Sequence, residues 1–281
     1  MIKLTRRVLA LMIGAGAIAH RAIGTEAPVE LPGVVGLAEA RADLGKPLGR
    51  DVARAAVARS VQAAVGEESA GAAAARLFWP GDTVGNQVNG LAGRNLSPRV
   101  ELVEALVDLI AATGVDRRRI VVFERSSREL RRAGFALSAS GPPYRCVGTD
   151  NDYDSRPSDS GSVGSCFARL VSTECTALVS FGVVKDHDLS GVSAGMKNWY
   201  GVIHNPNKYH DNVCDPYVAD VANLAAVRTK LRLTIADGTL AQCHAGPAYS
   251  PAYAWHCNSI LVGTDPVALD RVGCDILEKK R

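Results

Sequence analysis

A chain of 281 residues that is 47% hydrophobic and 22% charged has an ordinary globular composition, long enough to bury one sizeable core. Its 32 basic and 29 acidic residues leave a net charge of +3 with no long basic stripe, which argues against nucleic acid as a partner and points to small molecules. The seven cysteines fall in no Cys-x-x-Cys arrangement, so neither a zinc ribbon nor a ferredoxin-type cluster has support.

The first residues have export-signal architecture. Lys3, Arg6 and Arg7 precede an apolar run from Val8 to Ala19, and Ala22-Ile23-Gly24 supplies small residues for cleavage. Thr5-Arg6-Arg7-Val8-Leu9 resembles a twin-arginine signal, so residues 1–24 are expected to engage the twin-arginine export machinery and direct the chain to the periplasm. That route carries folded proteins, often with a cofactor already inserted, which favours a metal or cofactor. The apolar run is shorter than the roughly 20 residues of a membrane span, so no stable membrane anchor is expected. In an oxidising compartment, Cys146, Cys166, Cys175, Cys214, Cys243, Cys257 and Cys274 would form one or two disulfides and leave a thiol over.

Beyond the signal, Val34 to Ala40 has the pattern of a strand, Arg50 to Val65 that of a helix, and Ser69 to Arg76 that of a short Ala/Gly-rich helix. Thr83 to Val88 is the next strand and Asn89 to Asn95 a glycine-containing loop. Ser97 is an N-cap candidate with Pro98 at the first helical position, opening a helix to about Thr113 whose Val100, Val103, Leu106, Val107 and Ile110 share one face. Gly114 ends it, and Ile120 to Phe123 completes a βαβ unit, which implies parallel strands. Residues 138–165, rich in Ser, Gly, Pro and Asp, are expected to form a long loop over the site. Then come a strand from Cys175 to Val184, a polar segment over 187–217, and a helix from Asp220 to Lys230. Strands from Leu231 to Ala236 and Ile260 to Gly263 follow, and Asp265-Pro266 opens a last helix with Asp265 as cap. The expected fold is α/β: a mostly parallel sheet with flanking helices and long loops at the carboxyl edge of the strands, in one domain over residues 33–281.

Ligand-type side chains are densest from Lys185-Asp186-His187-Asp188 through Lys197-Asn198 to His210-Asp211 and Cys214-Asp215, directly after a buried strand. In open α/β sheets ligands bind beyond the carboxyl ends of strands. Strand ends at Asn89, Glu124-Arg125, Lys185, Asp237 and Thr264-Asp265 would share that edge if all strands ran parallel. His187, His210, Asp211 and Cys214 are the metal-ligand candidates, because imidazole with carboxylate or thiolate suits a divalent transition metal such as zinc, iron or nickel. The competing role for the histidines is hydrogen bonding that orders a long loop. Lys185, Lys197 and Asp237 are the catalytic candidates, the lysines as base or anion clamp and Asp237 as either a functional carboxylate or a turn residue before Gly238. Asn89, Arg94, Arg125 and Asn198 are the candidates for holding an anionic cofactor. Asp150, Asp152 and Asp154 begin like a calcium loop, but Ser155 and Gly161 stand where an EF-hand needs Gly and Glu. No Gly-x-Ser-x-Gly is present for a serine nucleophile.

Four segments resemble the family known as domain of unknown function 362: Val88-Asn89-Gly90-Leu91-Ala92-Gly93-Arg94-Asn95-Leu96-Ser97-Pro98, Lys185-Asp186-His187, Met196-Lys197-Asn198-Trp199-Tyr200-Gly201-Val202-Ile203-His204-Asn205-Pro206 and Gly263-Thr264-Asp265-Pro266-Val267-Ala268-Leu269-Asp270. The resemblance implies an α/β fold, often with a twin-arginine signal, and brings no settled activity. Gln87 stands where the family motif has Lys, and relatives continue beyond Asp270, so a truncated C-terminus is expected. The residues point to a metal- or cofactor-dependent enzyme acting on a small anionic substrate, a carboxylate or a phosphate. The alternative is a non-catalytic periplasmic binding protein for an anionic ligand or a metal ion.

Overall fold

The computed structural model describes residues 11–12, 33–41, 47–141 and 143–281. Apart from Leu11–Met12, the expected signal over 1–24 lies outside the described residues. In chain order the elements are β1 (Leu11–Met12), β2 (Val34–Glu39), α1 (Arg50–Val65), α2 (Ala70–Leu77), β3 (Val84–Val88), α3 (Val100–Ala111), β4 (Ile120–Glu124), α4 (Ser127–Ala133) and β5 (Arg145–Gly148). A small hairpin, β6 (Ser158–Ser160) and β7 (Val163–Ser165), leads to β8 (Ala177–His187) and β9 (Gly191–Val192). Then come 3₁₀ turns at Met196–Val202, Pro206–Tyr209 and Asn212–Cys214, α5 (Tyr217–Asn223), α6 (Ala225–Arg228), β10 (Leu231–Gln242), β11 (Ala254–Trp255), β12 (Ser259–Gly263) and α7 (Pro266–Lys280).

The main sheet runs β1-β2-β12-β10-β8-β3-β4-β5. From β10 to β5 every pairing is parallel, whereas β12 is antiparallel to both β10 and β2. This is an α/β fold with a mostly parallel sheet, as the sequence leads one to expect. β8 is buried along its whole length and β10 at every position but Leu240, as expected of strands covered on both faces inside a layered sheet. On one face, Ala53, Val57 and Val61 of α1 and Leu102 and Leu106 of α3 pack on Val84, Val122, Val179 and Ile235. On the other, Trp199, Val202, Val221 and Val227 cover Val121, Phe123 and Leu178, while Leu269 and Val272 of α7 cover Val184, Ala236 and Leu261.

Several expectations change. Because β12 runs antiparallel, its carboxyl end, Thr264-Asp265, lies at the opposite edge from the ends of β3, β4 and β8. There Asp265 accepts from the backbone N–H groups of Val267 and Ala268 and caps α7, the scaffold role anticipated for it. Helix α3 begins at Val100, not at Pro98. Its N-cap residue is Arg99, not Ser97, with no side-chain cap bond, and the Arg99 backbone N–H donates to Asp237 Oδ2 of β10 at 2.9 Å. The expected loop over 138–165 contains β5, a full member of the sheet, and the β6-β7 hairpin. The expected helix over 220–230 is two short helices that meet at Leu224. All seven cysteines are free thiols, so the expected disulfides are not formed. Among the described residues no helix is long and apolar enough to cross a membrane.

Candidate functional site

Strand β8 extends through Lys185 to His187, so the polar run belongs to the strand end itself and not to a loop after it. Opposite it, the turn Met196–Val202 is fastened at three points. Asp270 of α7 accepts from Gly195 N–H at 2.6 Å and from Met196 N–H at 2.9 Å. Asn198 Nδ2 donates to the Gln87 carbonyl and to Ser180 Oγ, each at 3.1 Å. Close approach of the turn to β8 requires glycine at 182, where a Cβ would stand 2.0 Å from the Ala194 carbonyl oxygen. The turn thereby holds Lys197, 7% exposed, at a fixed place beside the end of β8.

Lys197 Nζ lies 3.0 Å from His210 Nε2 and 3.4 Å from the centroid of the Tyr200 ring. His210 Nδ1 sits 3.0 Å from the Pro206 carbonyl oxygen, an acceptor only, so Nδ1 is the protonated nitrogen and Nε2 presents its lone pair to the ammonium. Tyr200 is positioned from behind by its hydroxyl, which donates to the Tyr209 carbonyl at 2.8 Å. The His187 ring stacks against His210 with centroids 5.7 Å apart, and its Nδ1 faces the Leu189 backbone N–H at 3.2 Å. Lys185 is fully enclosed at 0% exposure, with Nζ 3.1 Å from Asn89 Oδ1 and 3.5 Å from the Pro247 carbonyl.

Among the described residues, no ion pair joins either lysine to a carboxylate. Burial is the largest cause and pushes each ammonium down, Lys185 to about 8 against the opposing Glu124 and Asp186 carboxyl groups and Lys197 to about 8 against Cys214 and Asp188. Burial, then the charge of Lys197, pushes His187 down to about 4, and the same two causes lower His210. Both imidazoles are neutral at pH 7, so the 3.1 Å approach of His187 Nδ1 to Asp188 is not an ionic pair. The cluster thus combines positive charge with neutral proton acceptors, a composition suited to an oxyanion and to proton transfer.

The metal-ligand set does not assemble. His210 Nε2 is engaged by Lys197, and the Asp211 side chain points into solvent. Among the described residues no group of three His, Cys, Asp or Glu side chains is placed to hold a metal ion. Asp237 also leaves the catalytic set, because its carboxylate is taken up by the start of α3 and by the Thr239 backbone N–H at 2.7 Å. Of the anion-binding candidates, Asn89 joins Lys185 and Asn198 supports the Lys197 turn. Arg125 instead reaches the His204 carbonyl at 3.3 Å, and Arg94 is exposed in a separate cleft.

Glu124 is among the strand ends expected at this edge and Gln87 is a departure from the family motif, but the pairing of Glu124 with Glu129 and the unpartnered burial of Gln87 are not expected from the sequence. Glu124, buried at the end of β4, is pushed well above the carboxylate range by burial and by a hydrogen bond with Glu129, and its charge acts on Lys185. Nothing in the spacing of Glu124 and Glu129 singles them out, since α4 itself went unrecognised. Gln87, which replaces the family's Lys, is buried with both amide atoms unpartnered, and a Cβ at Gly201 would stand 2.1 Å from its Nε2.

A solved structure of a protein from Thermotoga maritima is similar at 10% identity with a TM-score of 0.48, over 84% of this chain and 60% of that one. No curated protein matches. The family model described as Domain of unknown function (DUF362) matches residues 91–275, which contain the Lys185, Lys197 and His210 cluster, and the chain belongs to that family.

Proposed function

We propose that the chain is an enzyme that binds a small carboxylate- or phosphate-bearing molecule beside Lys197 and moves a proton on it, with Lys197 as base and His210 as its partner. The observation that supports this most strongly is the 3.0 Å contact between a buried amine without a carboxylate partner and an imidazole lone pair held in place through Nδ1. With a pKa near 8, about a tenth of the Lys197 population is neutral at pH 7 and able to take up a proton. The charged remainder attracts the oxyanion, and the Tyr200 ring beneath it stabilises the ammonium.

Ligand-observed NMR with a library of small carboxylates and phosphate monoesters tests the reading. Wild-type binding that weakens at least about tenfold in Lys197→Met is expected; unchanged binding in that variant refutes the site. The enclosure of Lys185 favours a second reading, a binding protein without turnover, because a lysine sealed under Asn89 and Pro247 holds loops together instead of meeting a substrate. Lys197→Arg separates the two: an enzyme keeps binding and loses turnover, whereas a binding protein keeps its only activity.

Residues 1–24 support a further proposal, export by the twin-arginine route, since Arg6-Arg7 precedes an apolar run. Replacing both arginines by lysine should retain the chain in the cytoplasm, and unchanged secretion would exclude that route.

A further inference from the structure

We propose that the cleft beside the start of α3 is a second binding site, which takes a small molecule with an apolar body and one carboxylate or phosphate group. The cleft, of about 430 Å³, lies within the size range of small-molecule sites. None of Lys185, Lys197, His187 or His210 lines it, so it is separate from the site above.

Six polar side chains line it, Arg94, Asn95, Arg99, Glu101, Tyr249 and His256, and four of them carry the argument. Arg94 comes from the β3–α3 loop, Arg99 from the start of α3, and Tyr249 and His256 from the connection between β10 and β12. Arg99 is held in place, with Nε donating to Thr239 Oγ1 at 2.9 Å and its backbone N–H to Asp237. Arg94 is exposed, and among the described residues its guanidinium has no hydrogen-bond partner. His256 is the most telling of the four. Both its ring nitrogens are shut off from solvent and neither has a hydrogen-bond partner among the described residues. Buried polar atoms are nearly always satisfied, and those that are not commonly mark a position that a water, an ion or a ligand completes.

The rest of the wall sets the ligand class. Pro98, Val100 and Leu240 supply apolar surface for a hydrocarbon or ring, while the Arg94 guanidinium matches the paired oxygens of a carboxylate or phosphate. Glu101 is a carboxylate on this wall and disfavours a polyanion. Both chemistries share the oxyanion, and probes distinguish them.

The test is a titration of the full chain with phenyl phosphate, benzoate, inorganic phosphate and benzyl alcohol, followed by calorimetry and by the His256 ring resonances. Phenyl phosphate or benzoate is expected to bind saturably with Kd at or below about 1 mM and to shift the His256 signals. Inorganic phosphate should bind at least about tenfold more weakly and benzyl alcohol not at all. Read at the His256 resonances, which report this cleft and not the Lys197 site, Arg94→Gln, a change at an exposed residue, should weaken the better probe at least about fivefold, while Lys197→Met leaves the His256 response unchanged whatever it does to binding at the first site. The stronger of the two aromatic probes identifies the oxyanion. No saturation by about 10 mM of either, equal affinity for benzyl alcohol, or an unchanged Kd in Arg94→Gln overturns the proposal.

Discussion

Replacing Lys185 by Met removes a buried ammonium while keeping most of the side-chain volume, and its consequence is best read as a function of pH. Lys185 is 0% exposed, and burial lowers it from 10.5 to about 8. In the unfolded chain the amine stays protonated up to about 10.5, so between about pH 8 and 10.5 the unfolded state binds one more proton than the folded state. Stability therefore rises with pH in that window, and lowering the amine from 10.5 to about 8 corresponds to about 3 kcal/mol. Below pH 8 the full penalty is present, partly offset by the hydrogen bonds to Asn89 Oδ1 and the Pro247 carbonyl. The Met variant sheds the penalty and leaves those two acceptors unsatisfied at about 1–3 kcal/mol each, so the two proteins should differ by less than about 3 kcal/mol at pH 7. The assay is urea unfolding of both proteins at pH 7, 8.5 and 10. Alkaline titration of buried thiols such as Cys175, pushed up to about 12 by burial, acts equally on both and cancels in the difference. Wild type should gain about 3 kcal/mol on the variant across the series. Parallel pH dependences would show that Lys185 keeps an ordinary pKa and would refute the reasoning.

Other perturbations test the scaffold. Asp270, raised from 3.8 to about 6 by burial, ionises later in the folded chain than in the unfolded one. Stability should accordingly fall by about 3 kcal/mol as pH rises from about 4 to 6 and level off above, a slope that chemical unfolding of Asp270→Asn should lack. Asp237→Ala should cost about 1–3 kcal/mol through the lost hydrogen bonds to the Arg99 and Thr239 backbone N–H groups while ligand binding at Lys197 is unaffected, as calorimetry would show. Gly182→Ala sets a Cβ against the Ala194 carbonyl oxygen and should cost about 3 kcal/mol or more in thermal unfolding, with displacement of the Lys197 turn visible in the Tyr200 and His210 resonances. Asp82→Ala leaves the buried Arg232 guanidinium without its ion-pair partner and should cost about 3–5 kcal/mol.

Much of this fold is legible in the sequence because its signals are local. The helix over Arg50–Val65 has the bounds that apolar spacing gives, and Asp265-Pro266 caps α7 as such a pair should. Strand direction is not local. The antiparallel course of β12 depends on pairing with β2 and β10, residues far away in sequence, and it moved Thr264-Asp265 to the wrong edge for a shared site. A long-range contact misled in the same way: Ser97-Pro98 has every local mark of a helix start, but the helix starts at Val100 and the chain entering it is held by Asp237 on another strand, through the Arg99 backbone N–H. Helix α4 did carry visible signals, Ser126 as N-cap and Gly134 as its left-handed end, but its seven residues show no full apolar period.

At the site, residue density was a good guide to position and a poor one to chemistry. Lys185, His187, Lys197 and His210 do come together, since a strand end and a fastened turn bring them there. Whether a histidine coordinates a metal or accepts from a lysine depends on where its second nitrogen points, and no spacing rule encodes that. The Glu124 and Glu129 pair required knowing that α4 folds back over the end of β4.

The central claim is that Lys197 is an amine prepared for proton exchange with His210. Its most direct test is an NMR titration of the lysine side chains in the wild-type chain and in His210→Gln, with Lys197 assigned by substitution. A midpoint near 8 in the wild type, moved by the loss of the imidazole, is the predicted result. A midpoint near 10.5 in both proteins would mean that Lys197 is an ordinary solvated ammonium, and the proton-transfer account would fall with it.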